Sequence, residues 1–156
     1  MERIIRIKNR GHLLSTLAEA AELEHNLMCL YLYAIFSLKQ PGVDPMTASQ
    51  EARIRNWRKT ILDVSVQEMS HLALVANLTK AVGGSPHFHH TPLPISPGYF
   101  PADFVIELAP FDQDTLSHFI FLERPETKDV SDSEAFDPIV KYERHSPRNR
   151  LMTHVG

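Results

Sequence analysis

ILDVSVQEMSHLALVANLTKAV, residues 61–82, decides how the rest of the chain is read. Taken in steps of three and four from Ile54, the series runs Ile54, Trp57, Ile61, Val64, Glu68, His71, Val75, Leu78 and Val82. That stepping puts the side chains on one stripe of a helix packed against other helices. Inside this apolar stripe stand a carboxylate, Glu68, and an imidazole, His71. A charge there costs on the order of several kcal/mol unless it is paired or bound to a metal. Spaced i and i+3, the two side chains leave adjacent turns in the same direction, so both can reach one ion.

Upstream, the same stepping gives Leu17, Ala21, Glu24, Met28, Tyr31, Ile35 and Leu38, again apolar but for one carboxylate. Glu24 lies 14 residues before Leu38, and Glu68 lies 14 before Val82. Two antiparallel helices with these stripes would bring the carboxylates together near mid-length. A Glu facing a Glu-x-x-His is half of the dinuclear carboxylate site built inside four-helix bundles.

Local signals mark the helix ends. The first helix, α1, is predicted to start at residue 11 or 12 and run to about 39, where Gln40-Pro41-Gly42 stops it. Residues 43–48 lead into α2, which starts at Thr47, with Gln50 three residues on completing a capping box. It is predicted to run to Val82 and stop at Gly83-Gly84. So short a connection makes the two helices antiparallel neighbours. Prolines at 86, 92, 94, 97, 101 and 110 exclude a long helix over 85–110. That stretch reads as a crossover with one short helical turn or strand at 102–108. A third helix, α3, is expected over 112–123, capped by Asp112 or Asp114 and ended by Pro125. Residues 1–7 read as a short strand or an extended arm, and 138–143 as a turn. No fourth helix is evident.

The composition fits one globular domain: 156 residues, 43% hydrophobic and 22% charged. A net charge of −3 and a pI near 6.3 point to no nucleic-acid partner. Cys29, the sole cysteine, excludes an internal disulfide framework. No apolar run reaches a membrane span and residues 1–10 lack a signal-peptide core, so no membrane partner and a cytoplasmic location are expected.

Three stretches together resemble a known family: AELEHNLMCLYLYAIFSLK (21–39), ILDVSVQEMSHLALVANLTKAVGGSPHF (61–88) and PGYFPADFVIELAPFDQDTLSHFIFLERPE (97–126). They are similar to the ferritin-like domain of the violacein-type synthases, also called the iminophenyl-pyruvate dimer synthase family. The resemblance implies an all-α, ferritin-like helical bundle: a long antiparallel α1–α2 hairpin, a Pro-rich crossover and a third helix. It also implies a non-haem metal inside the bundle, and oxidative coupling of two imines derived from aromatic amino acids. Glu24, Glu68 and His71 match the ferritin-type pattern. Members of the family continue beyond the region seen here, and nothing after Glu123 repeats Glu-x-x-His. The expectation is therefore one domain over residues 1–156, the N-terminal part of the family and incomplete at its C-terminal end.

Other polar residues have plainer readings. Glu22, His25 and Glu51 fall off the stripes and read as solvated faces, and Gln67 as structural. His87, His89 and His90, in PHFHH (86–90), read as a surface or pocket-lining loop rather than a second metal site. His118 reads as packing of α3 on the bundle. Glu123 is either a further carboxylate ligand or a salt-bridged helix end. Tyr31 shares the face of Glu24, where packing alone accounts for an aromatic.

The expected function is that of a metal-dependent oxidoreductase or synthase of secondary metabolism. Glu24, Glu68 and His71 would hold iron, as one ion or as a dinuclear pair with Glu68 bridging; manganese suits the same donors. One rival is iron binding without substrate chemistry. Another is a structural module that docks a partner enzyme, its polar stripe residues merely paired. The expected partners are a small substrate derived from an aromatic amino acid, an enzyme of the same pathway, and a second copy of the chain. A two-fold homodimer would supply a second set of Glu24, Glu68 and His71 and cover the apolar stripe.

Overall fold

The computed structural model describes residues 6–89, 92–95, 104–125 and 130–136, which form three α-helices and no strand. α1 spans Arg10–Ser37, and Asn9 caps it by accepting the His12 amide at 2.8 Å. It ends where Leu38 turns extended. α2 spans Ala48–Ala81. Both halves of its capping box are made: the Gln50 amide donates to Thr47 Oγ1 at 3.3 Å, and the Thr47 amide to Gln50 Oε1 at 2.9 Å. Such a cap stabilises a helix by about 1 kcal/mol.

The exit from α2 depends on two glycines. Gly83 has φ of +75°, a left-handed conformation that other residues adopt at a cost. At Gly84 a Cβ would come within 2.5 Å of Leu14 Cδ2 and 3.2 Å of the Thr79 carbonyl oxygen, so a larger residue there would push Leu14 of α1 aside.

Two arginines fix the antiparallel register of α1 and α2. Arg10, at the start of α1, donates to the Val82 carbonyl at 2.9 Å and the Gly83 carbonyl at 2.6 Å. Arg58 donates from α2 to the Ile35 carbonyl at 2.9 Å. Ala21, Tyr31 and Ile35 of the predicted α1 stripe are buried, as are Ile54, Ile61 and Glu68 of the predicted α2 stripe. The rest of the α2 stripe needs correction. Trp57, His71 and Leu78 are exposed, while Ser65 and Thr79 are buried instead. The contact with α1 covers one flank of a stripe wide enough for several helices, and the other flank faces outward.

The chain divides into two compact units, residues 1–93 with 106–110 and residues 94–105 with 111–156. The hairpin belongs to the first. The second holds α3, Gln113–Leu122, capped by Asp112 Oδ1 accepting the Thr115 amide at 2.8 Å. It also holds a 3-10 turn, Glu134–Phe136, which packs on α3. The described parts of the crossover contain no helix, and Val105 and Ile106 are buried. Residues 1–5 of the predicted arm and the turn expected at 138–143 lie outside the described residues.

Candidate metal centre

The hairpin brings Glu24, Glu68 and His71 together, with one ligand atom of each within 4.8 Å of the others. His71 Nδ1 stands 3.4 Å from Glu24 Oε2 and 3.5 Å from Glu68 Oε2. These separations are long for a charge-assisted hydrogen bond, which closes to about 2.7–2.9 Å. They suit donors arranged round a common point: ligands about 2.0–2.2 Å from an ion lie roughly 3–3.5 Å apart. Burial is graded across the group. The side chain of Glu68 is 7% exposed, that of Glu24 20% and that of His71 53%. Two converging carboxylates repel each other unless a proton or a cation lies between them. The cluster is therefore anchored on its dry side by Glu68 and open to solvent on the side of His71.

The helices also bury polar groups close to the cluster in sequence. Ser65, one turn before Glu68, and Asn26, two residues after Glu24, are wholly buried. Asn26 Nδ2 donates to the Glu22 carbonyl at 2.8 Å, yet Asn26 Oδ1 and Ser65 Oγ find no hydrogen-bond partner among the described residues. Polar atoms at this depth are the kind that an ordered water satisfies, and His118 Nε2 in the second unit is another of them. Sequence reasoning missed both. The signal for Ser65 was a second three–four stepping along α2, Ile61, Ser65, Glu68, Leu72.

Glu22 and His25 are not simply solvated. The segment that leaves α2 returns over α1, where His87 Nε2 meets Glu22 Oε1 at 2.8 Å and His25 Nδ1 meets the Phe88 carbonyl at 3.1 Å. Glu51 is likewise engaged, with Arg55 and the Gly42 amide. His87 thus anchors a loop, His89 is exposed, and His90 lies outside the described residues. Burial pushes the Cys29 thiol up, so it stays protonated and is a poor ligand.

In the second unit Glu123 is the exposed C-cap of α3 and is not one of the converging groups. His118 is fully buried, its Nδ1 2.8 Å from Asp132 and its ring stacked on Phe136 at 4.0 Å. Burial pushes its pKa down, opposed by Asp132 and the Val105 backbone.

Over 77% of its length the chain is 29% identical to a 2-imino-3-(indol-3-yl)propanoate dimerase of Chromobacterium violaceum, and it spans 14% of that protein's length. No solved structure matches. Residues 17–156 match the family described as Ferritin-like, a span that takes in most of α1, all of α2 and α3, and Glu24, Glu68 and His71. The chain belongs to the Ferritin-like family.

Proposed function

We propose that Glu24, Glu68 and His71 hold a non-haem iron ion, and that the chain serves the oxidative coupling of imines derived from aromatic amino acids. The observation that carries this reading is the convergence of two carboxylates and an imidazole on one space, with one ligand atom of each within 4.8 Å of the others. Oxygen donors with one imidazole suit iron or manganese rather than the softer metals that prefer thiolates. The relative whose name describes dimerisation of an indolyl imino acid supports the substrate class.

Iron bound there would supply one-electron redox chemistry toward dioxygen. The chain's own residues set the surroundings. Glu68 fixes the ligand set from the dry side, and the backbone of α2 holds His71 one turn away. The exposed edge at His71 is where a solute can approach, while the hairpin core keeps water from the opposite side.

One hairpin offers one Glu and one Glu-x-x-His, half the donors of a dinuclear carboxylate centre. We propose a second copy of the chain as the source of the other half. The alternative source is further sequence of a longer protein. Light scattering on iron-loaded protein separates these, since a metal-bound monomer excludes the dimer.

The test of function is anaerobic loading with ferrous iron, elemental analysis, and exposure to dioxygen with an imine made in place by an amino-acid oxidase. Iron at a fixed ratio and a coupled product are expected. Iron oxidation with no coupled product leaves the iron-binding reading, and protein that retains no metal overturns both.

A further inference from the structure

The turn end of the hairpin carries a second recess. A cavity of about 220 Å³ is lined there by Lys39, Met46, Gln50, Arg53, Ile54 and Trp57. Ile54 is buried, and Trp57, the sole tryptophan of the chain, is 44% exposed. The acids of the same turn are occupied elsewhere. Asp44 Oδ2 accepts the Gln40 amide at 2.6 Å, while Glu51 takes the Gly42 amide at 3.1 Å and Arg55 at 3.3 Å. Neither Lys39 nor Arg53 has an ion-pair partner among the described residues. The recess therefore joins an indole, a thioether and an aliphatic side chain to two uncompensated cations.

We infer that this recess binds a small aromatic carboxylate. A planar ring gains from the indole of Trp57 and the polarisable sulfur of Met46. The carboxylate answers Arg53, whose planar fork matches it in two places, and Lys39 as a point charge. The volume lies below the roughly 300 Å³ at which ordinary ligand pockets begin, which restricts the occupant to a single ring or a group of similar size with its acid. Trp57 precedes Glu68 by 11 residues of unbroken helix, about 16 Å along the axis. The site is thus separate from the candidate metal centre, and it stands without the iron reading.

The lone tryptophan makes the test direct. Phenylpropanoate is titrated into the whole chain while Trp57 emission is followed, with propanoate, phenylpropanol and inorganic phosphate as comparisons. Phenylpropanoate should give a saturable change, with a dissociation constant on the order of a millimolar or tighter. Phenylpropanol and propanoate should bind about tenfold more weakly, since each lacks one half of the match. Arg53→Gln should weaken phenylpropanoate about tenfold; Arg53 and Lys39 are exposed, so these variants should fold, and their helical content is checked by circular dichroism. His71→Ala, which disables the metal cluster, should leave the titration unchanged. Equal responses to phenylpropanoate and phenylpropanol, equal binding of phosphate, or folded Arg53→Gln and Lys39→Gln proteins that both titrate like the parent would each overturn the assignment.

Discussion

In the second unit, His118 is wholly buried, with Asp132 2.8 Å from its Nδ1 and Phe136 flat against its ring. In the first, His71 is half exposed and stands 3.4 and 3.5 Å from two carboxylates at once. Both join a histidine to carboxylate side chains, yet the arrangements differ in how many groups share one space. His118 Nδ1 and Asp132 form a closed pair that a guest would have to break. The buried Nε2 of the same ring has no hydrogen-bond partner of ordinary geometry among the described residues, and Asp132 Oδ1 also accepts the Ser133 amide at 2.7 Å. Glu24, Glu68 and His71 bring two carboxyl groups and one imidazole to one shared space. A histidine beside a carboxylate is therefore no sign of a metal by itself; three donor groups converging on one space are what make the first cluster a candidate.

The largest effect that would break this contrast is on metal binding. Glu68→Ala and His71→Ala should each lower iron affinity by about a hundredfold or more, because too few donors remain. Helical content should persist, since Glu68→Ala also removes a buried charge. In the parent, iron at about a hundred times its dissociation constant should add about 2.7 kcal/mol to stability, and the variants should lose that gain. Unchanged iron content in both variants would reject ligation by this pair.

The closed pair predicts a smaller and different effect. His118→Asn should cost roughly 1–3 kcal/mol by leaving Asp132 without its partner, with no change in iron content. The pair also sets a pH dependence. Burial holds the His118 pKa below its unfolded value, so the unfolded chain takes up a proton first as pH falls. Its contribution is fully present above about pH 6.5 and is lost as pH drops toward the native pKa. Thermal melts of parent and His118→Asn should therefore converge on acidification. A gap that widens below pH 6.5 would show that Asp132, not burial, governs this histidine.

The sequence was most legible where a signal is local. Thr47 with Gln50, Asp112 and Gly83 marked helix ends within a residue or two, because capping chemistry is settled by near neighbours. Glu24, Glu68 and His71 stood out because a polar residue in an apolar stripe is visible without knowing what the stripe faces. Which flank of α2 would be covered was not visible. Periodicity defines a stripe and not its partner, so Ser65 and Thr79 went unnoticed while Trp57 and Leu78 were expected inside. Contacts between distant residues without a repeating pattern were also hidden. Glu22 and His87 are 65 residues apart, and Asp132 lies in a segment with no helical period to announce it.

The smallest effect concerns a histidine–carboxylate pair of intermediate kind, Glu22 with His87. It has the short 2.8 Å contact of the closed pair but is only partly buried. Such a pair contributes roughly 0.2–1 kcal/mol and is weakened by salt. Its work is local, holding the segment after α2 against α1 beside the His25 contact to the Phe88 carbonyl. Glu22→Ala should therefore speed amide exchange at His87 and Phe88 by up to about fivefold while leaving the α1 and α2 amides unchanged. High salt should shrink the difference between the two proteins. Faster exchange along the whole of α1 would instead make Glu22 a support of the hairpin, and unchanged exchange at His87 and Phe88 would show that the short contact holds nothing in place.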